Sequence, residues 1–260
     1  MWAWPGAVLP VVWVLGAWAP VAAAQAGPNP VVLELFTSEG CSSCPPVDRW
    51  VARLDAAQPL PGAELIVLSE HVDYWDHQGW KDPYSSAALT ERQQAYVHGL
   101  ELSGVYTPQL VLDGEVEVHP TDEQQVRDAF ARAEAKQRMP VQIEDVRVAD
   151  GEVTGRVVVQ AGSKHGDVLV AVALDKTETD VLGGENDGRK LTNVAVVRAL
   201  VKIGKTQKEK AFDEAFRVPV AAGDAGNLRV VALVQEGDQG PVLGAGMVKV
   251  GATQRAASGD

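Results

Sequence analysis

Val31-Val32-Leu33-Glu34-Leu35-Phe36 is an almost unbroken apolar run that leads into Thr37-Ser38-Glu39-Gly40. Its length and β-branched content predict a strand. After Cys41-Ser42-Ser43-Cys44-Pro45-Pro46 the period lengthens. Val47, Trp50, Val51 and Leu54 fall on one helical face and predict a helix over 47–57 that stops before Pro59 and Pro61. Leu65-Ile66-Val67-Leu68 predicts a second strand, and its continuous apolar character suits a parallel strand covered on both faces. His71 to Tyr84 is polar and aromatic and reads as a long loop. Ser85 to His98 reads as a helix with Ser85 as its N-cap. Thr107-Pro108 opens a strand over 109–112, Asp113-Gly114 is a hairpin-turn pair, and 115–119 is the returning strand. Thr121-Asp122-Glu123 starts a helix, with acid in its first turn, that runs to about Arg138 and is closed by Pro140. The first two strands are expected to be parallel, joined by a right-handed crossover.

From Val141 the pattern changes to short β-type runs: 141–149, 152–160, 167–175, 191–203, 228–235 and 242–250. Asp150-Gly151 marks a hairpin between the first two. These runs predict an all-β sandwich-like domain over 140–250, after an α/β domain over 30–139. Residues 183–189 form a turn-rich loop, 205–214 a charged loop or short helix, and 251–260 a small, polar tail expected to be disordered.

Composition adds location and exclusions. The first charged residue is Glu34; before it Ala7 to Ala24 is apolar and runs into Ala22-Ala23-Ala24-Gln25-Ala26. This reads as a signal peptide over 1–26, and the mature protein is expected to be secreted or periplasmic, in an oxidising space. The other reading is an uncleaved N-terminal anchor, the one expected route to membrane contact. With 23 Lys+Arg against 35 Asp+Glu and a net charge of −12, no basic face for nucleic acid is expected. Only two cysteines are present, which excludes a multi-disulfide scaffold.

Cys41-x-x-Cys44 directly follows a strand and heads a helix, the setting of a redox dithiol. A helix N-terminus favours thiolate at the first sulfur, and the second can resolve a mixed disulfide. Pro45 disfavours helical backbone at Cys44, so the regular helix is expected to begin after Pro45. Other readings stay open. The pair is a static structural bridge, half of a zinc site, or a Cu(I) site formed by Cys41, Cys44 and His71, which sits where the second strand ends. Glu70 and His71 are candidates for proton transfer during exchange or for bracing the loop. Asp73 is read as a brace, and Arg92 and Gln93 as solvated. Trp75, Trp80 and Tyr84 form either a groove for a partner or a local core, within a segment, 74–106, that holds all four tyrosines. Glu185-Asn186-Asp187 is read as a turn, since it lacks the spacing of a calcium loop.

A proline entering a strand after a loop and before a hairpin is expected to follow a cis bond. On this element order and Thr107-Pro108, the chain resembles the thioredoxin fold. That resemblance implies that Pro108 faces the dithiol and that Thr107 pairs with an extended substrate. Four separated motifs narrow it: 35–46, Leu-Phe-Thr-Ser-Glu-Gly-Cys-Ser-Ser-Cys-Pro-Pro; 70–76 with 79–84; Tyr106-Thr107-Pro108-Gln109; and 184–189, Gly-Glu-Asn-Asp-Gly-Arg. Together they resemble the DUF1223 family over about residues 31–250. The resemblance implies a secreted protein with a thioredoxin-like domain and supplies no substrate. The expected function is extracytoplasmic thiol–disulfide exchange, with protein thiols, disulfides or a redox partner protein as partners and no cofactor. The two sulfurs are expected at a solvent-reachable edge beside Thr107-Pro108.

Overall fold

Strand β1 (Asn29–Thr37) lies parallel to β2 (Ala63–His71), with α1 (Cys44–Ala57) as the crossover. Both strands are buried nearly throughout, as their continuous apolar runs require. After α2 (Ala87–Gly99), strand β3 (Gln109–Leu112) pairs antiparallel with β1 and turns back as β4 (Val116–Val118), followed by α3 (Glu123–Glu134). The turn runs through Asp113 and Gly114, both at positive φ (53° and 66°), as the sequence predicts. The computed structural model describes Met1 and residues 29–251 except 163 and 238, so the expected leader and tail lie, apart from Met1 and Gly251, outside the described residues.

Alternate residues sort the two faces of this sheet. Val31, Leu33, Leu35, Leu65 and Val67 pack under α1 and α3, against Val51, Ala129, Phe130 and Ala133. Val32, Ile66 and Leu68 pack on the other face with Leu89 of α2, while Phe36 meets Tyr96. Helix α1 begins at Cys44 itself, earlier than expected. Pro45 and Pro46 occupy its first turn, where a missing N–H breaks no intrahelical bond.

The second half supplies β5 (Val141–Ala149), β6 (Glu152–Val159), β7 (Asp167–Asp180), β8 (Lys190–Lys205), β9 (Phe212–Pro219), β10 (Leu228–Gln235) and β11 (Val242–Val250). Strands β7, β8, β10 and β11 join the first half edge to edge. A parallel Ser69–Val196 pairing links β2 to β8, and one sheet runs β11-β10-β7-β8-β2-β1-β3-β4. A separate sheet, β5-β6-β9, packs its inward residues Val153, Val157, Phe212 and Phe216 on Val168, Val170, Val230 and Ala232. The architecture is mixed α/β, with one large sheet and few helices.

A buried polar network ties the halves together on the α2 face. Arg92 Nε donates to Glu34 Oε2 at 2.6 Å, and Arg92 Nη2 donates to Tyr96 Oη and to Gln235 Oε1 on β10. Tyr96 Oη donates to Glu34 Oε1 at 2.5 Å and accepts from Gln235 Nε2 at 2.7 Å. Arg92 and Gln93 are therefore buried, not solvated. Glu34 occupies the middle of a covered strand, and α2 must bring a cation to it.

Candidate functional site

Strand β1 ends at Thr37, the chain turns through Ser38–Gly40, and Cys41 and Cys44 are joined by a disulfide with Cα atoms 5.4 Å apart. The Thr107–Pro108 peptide is cis, and its Thr107 carbonyl oxygen lies 3.8 Å from Cys41 Sγ. Ser43 Oγ stands 3.3 Å from that sulfur and donates to the same carbonyl at 3.4 Å. The expected juxtaposition of sulfurs and Thr-Pro peptide is present. The expected exposure is not: Cys41 and Cys44 are both 0% exposed. Thr107 and the Ser43 hydroxyl close over the sulfur, because side chains anchor the 100–108 segment from behind. Trp75 Nε1 donates to Thr107 Oγ1 at 2.8 Å, and Gln93 Nε2 donates to the Tyr106 carbonyl at 2.8 Å. The cover is one layer thick, since Ser42, Ser43, Val105 and Tyr106 are themselves exposed.

Four ionisable side chains are packed into the turn behind the disulfide. Asp48 lies one helical turn beyond Cys44 on the same face of α1 and accepts from Thr37 Oγ1 at 2.8 Å. Burial pushes its carboxyl up to about 6, against the hydrogen bonds of Thr37 and Asn193 and the charge of His71. His71 Nδ1 lies 2.7 Å from Asp82 Oδ2, with both side chains fully buried. Burial favours neutral imidazole, but the charge and hydrogen bond of Asp82, with the charges of Asp48 and Glu39, hold His71 above its ordinary pKa. Asp82 is held low by His71, against the cost of its own burial, and its Oδ2 also accepts from the Glu39 amide at 2.8 Å. Glu39 is raised by burial and by the neighbouring Asp82 charge.

The family model described as "Protein of unknown function (DUF1223)" matches residues 32–235. The chain belongs to the DUF1223 family. The crystal structure of the Agrobacterium tumefaciens protein AGR_C_4864 is similar to it at 29% identity, over 86% of this chain and 96% of that one, with a TM-score of 0.67. The sporulation control protein Spo0M of Bacillus subtilis aligns over 44% of this chain and 47% of its own at 11% identity, and its TM-score of 0.28 carries no argument. No curated protein matches the chain.

In this DUF1223 protein the other candidates separate. His71 stands on the disulfide's side of the sheet. Glu70, its neighbour on β2, points to the α2 face, where Arg92 Nε is 3.4 Å away. Burial and the adjacent Glu34 charge raise the Glu70 carboxyl well above its ordinary value. Glu70 thus belongs to the Arg92 network, away from the sulfurs. Of the residues named for a Cu(I) site, Cys41 and Cys44 are joined to each other, and His71 meets Asp82 through Nδ1 and leaves Nε2 buried without a hydrogen-bond partner. Trp75 and Trp80 are half-buried and spend their ring N–H groups on Thr107 and Glu39, so they brace the loops around the disulfide. Asp73 braces as expected, accepting from Thr90 Oγ1 at 2.6 Å.

Sequence reasoning missed Asp48, Asp82, Glu39 and Asn186. Asp48 had a signal: spacings of four from Cys44 and three to Val51 place it on the buried stripe of α1. Asp82 and Asn186 had none, because their partners are set by loop docking.

The raised pKa of Asp48 makes a stability prediction. A carboxyl raised on folding stabilises fully below its unfolded value of 3.8, and that contribution is lost as pH rises to about 6. Asp48→Asn removes the cost of ionisation. It is expected to match the parent near pH 3.5 and to exceed it by roughly 3 kcal/mol at pH 7. Urea denaturation at both pH values checks this; equal stability at pH 7 contradicts the placement.

Proposed function

We propose that this protein is an extracytoplasmic thiol–disulfide exchange protein that uses Cys41 and Cys44 on a thioredoxin-like scaffold. The observation that carries the reading is the buried set Asp48, His71, Asp82 and Glu39 behind the disulfide. A bridge that only staples a turn needs no ionisable groups, and burying four of them costs stability. Perturbed, mutually interacting groups gather where protons must move. The scaffold reading rests on the order β2-β1-β3-β4 with antiparallel β3, α2 opposite α1 and α3, and a cis proline before β3.

The chemistry follows from the bonds. An incoming thiolate attacks Cys41 Sγ, the Cys41–Cys44 bond breaks, and its electron pair goes to Cys44 Sγ. The proton that Cys44 then takes comes from Asp48, whose carboxyl at about 6 is matched to donating and accepting near neutrality. In reverse, Asp48 accepts the Cys44 proton as Cys44 attacks the mixed disulfide at Cys41. Attack runs along the S–S axis, so the Thr107 segment must first move off Cys41. The exposed Val105 and Tyr106, 42% and 38% accessible, directly precede Thr107.

The test uses the reduced mature protein and a disulfide-bonded peptide. The reading expects the Cys41–Cys44 bond to form with release of two peptide thiols per protein, followed by thiol labelling. Failure to release thiols at any pH from 6 to 9 rejects it.

A further inference from the structure

The loop between β7 and β8, residues 181–189, comes from the β-rich half of the chain and docks on the disulfide turn. Asn186 is 0% exposed. Its Nδ2 donates to two carbonyls, Glu39 O at 2.8 Å and Cys41 O at 2.9 Å. Its Oδ1 accepts from Arg189 Nη1 at 2.8 Å, which fixes which end of the amide faces the turn. The neighbouring Glu185 Oε2 accepts from the Ser42 amide at 3.0 Å. Three backbone groups from residues 39 to 42 thus find their partners on a segment about 145 positions later.

The same loop is closed on itself: Val181 N donates to Arg189 O and Gly188 N to Val181 O. It rests on the first half through backbone, with Gly183 so close to Gly79 that a Cβ there would fall 2.4 Å from the Gly79 carbonyl.

We infer that Asn186 is a positioning residue that holds the Cys41 turn shut, so that the β-rich half controls how fast a thiol or reductant reaches the disulfide. The inference deepens the exchange reading and rests on it for its biological sense. Freed of the clasp, the turn loses the carbonyl anchors on both sides of Gly40, and Cys41 can swing away from Thr107 and Ser43.

The experiment measures the rate at which tris(2-carboxyethyl)phosphine reduces the oxidised mature protein, quenched with a maleimide and read by mass. Asn186→Ala removes two buried hydrogen bonds and is expected to raise the rate about tenfold or more. Asn186→Asp, which turns acceptor oxygens toward the two carbonyls, raises it further. Glu185→Ala, an exposed change that leaves the core intact, raises it about two- to fivefold, in line with one lost backbone contact. Asn227→Ala is the control. It deletes an exposed pair of amide–backbone bonds, to Lys176 N and O, away from the turn. It is expected to lower Tm without changing the reduction rate. Parent-like rates in the Asn186 and Glu185 variants overturn the inference, and so does equal acceleration by Asn227→Ala, which reports general loosening. The readout does not require exchange activity. Faster reduction in a protein that never exchanges with a peptide keeps the clasp and removes the exchange reading.

Discussion

Cys41→Ser is expected to reduce exchange with a disulfide-bonded peptide to the rate seen without protein. A serine hydroxyl cannot replace the sulfur that forms the mixed disulfide with the peptide. Cys44→Ser is expected to behave differently. Cys41, at the turn against Thr107, still forms the mixed disulfide, but nothing resolves it, so a covalent peptide adduct accumulates. The two variants therefore share lost turnover and differ in the trapped species, which mass spectrometry separates. Turnover retained by Cys41→Ser, or an adduct on Cys44 in place of Cys41, contradicts the assignment of roles.

Arg92→Met is expected to lower stability by about 3–5 kcal/mol at pH 7. Arg92 is the cation of a network in which Glu34 is wholly buried in the middle of β1. Against the cost of burial, the charge and hydrogen bond of Arg92, with the hydrogen bonds of Glu70 and Tyr96, hold the Glu34 carboxyl below its ordinary value. A depressed acid stabilises above its unfolded pKa of about 4.5, and that stability is lost as pH falls. The defect in Arg92→Met should accordingly shrink below pH 4.5. Glu34→Gln combined with Arg92→Met should recover much of the loss, since it removes the buried Glu34 charge together with its cation. Urea denaturation of the oxidised proteins checks both statements. A loss under 1 kcal/mol in the single variant contradicts the account of the network.

The readability of this chain follows the range of its interactions. β1, α1 and β2 were legible because each has one dominant period. The turn at Asp113-Gly114 was legible because its backbone demands those residues. Cys41, Cys44 and Thr107-Pro108 were legible because local sequence fixes their places at strand and helix ends. The buried face of α2 was not. It consists of Leu89, Thr90, Arg92, Gln93 and Tyr96, so hydrophobicity carries no helical signal, and the carboxylate that explains it lies 58 residues earlier. The reading of 205–214 as a charged loop or short helix overlaps β9 only at 212–214, and β9 itself carries little strand signal because Glu214 interrupts the inward series Phe212, Phe216, Val218. The union of the halves into one sheet depends on a single β2–β8 pairing, which leaves no mark in composition. The clasp by Asn186 was invisible for the same reason, although its motif, 184–189, was among those that pointed to the family. The burial of the sulfurs comes from loop docking through Trp75, Gln93 and Asn186, and each of those bonds spans many residues.

The central claim is that the Cys41–Cys44 bond opens and closes in the folded protein. An equilibrium redox titration of the protein, with maleimide labelling of both cysteines and fold monitored by circular dichroism in parallel, tests it most directly. The account predicts reversible conversion at a potential above about −300 mV with the fold retained. A potential below that value, or reduction only once the protein has unfolded, would show a structural bridge and contradict it.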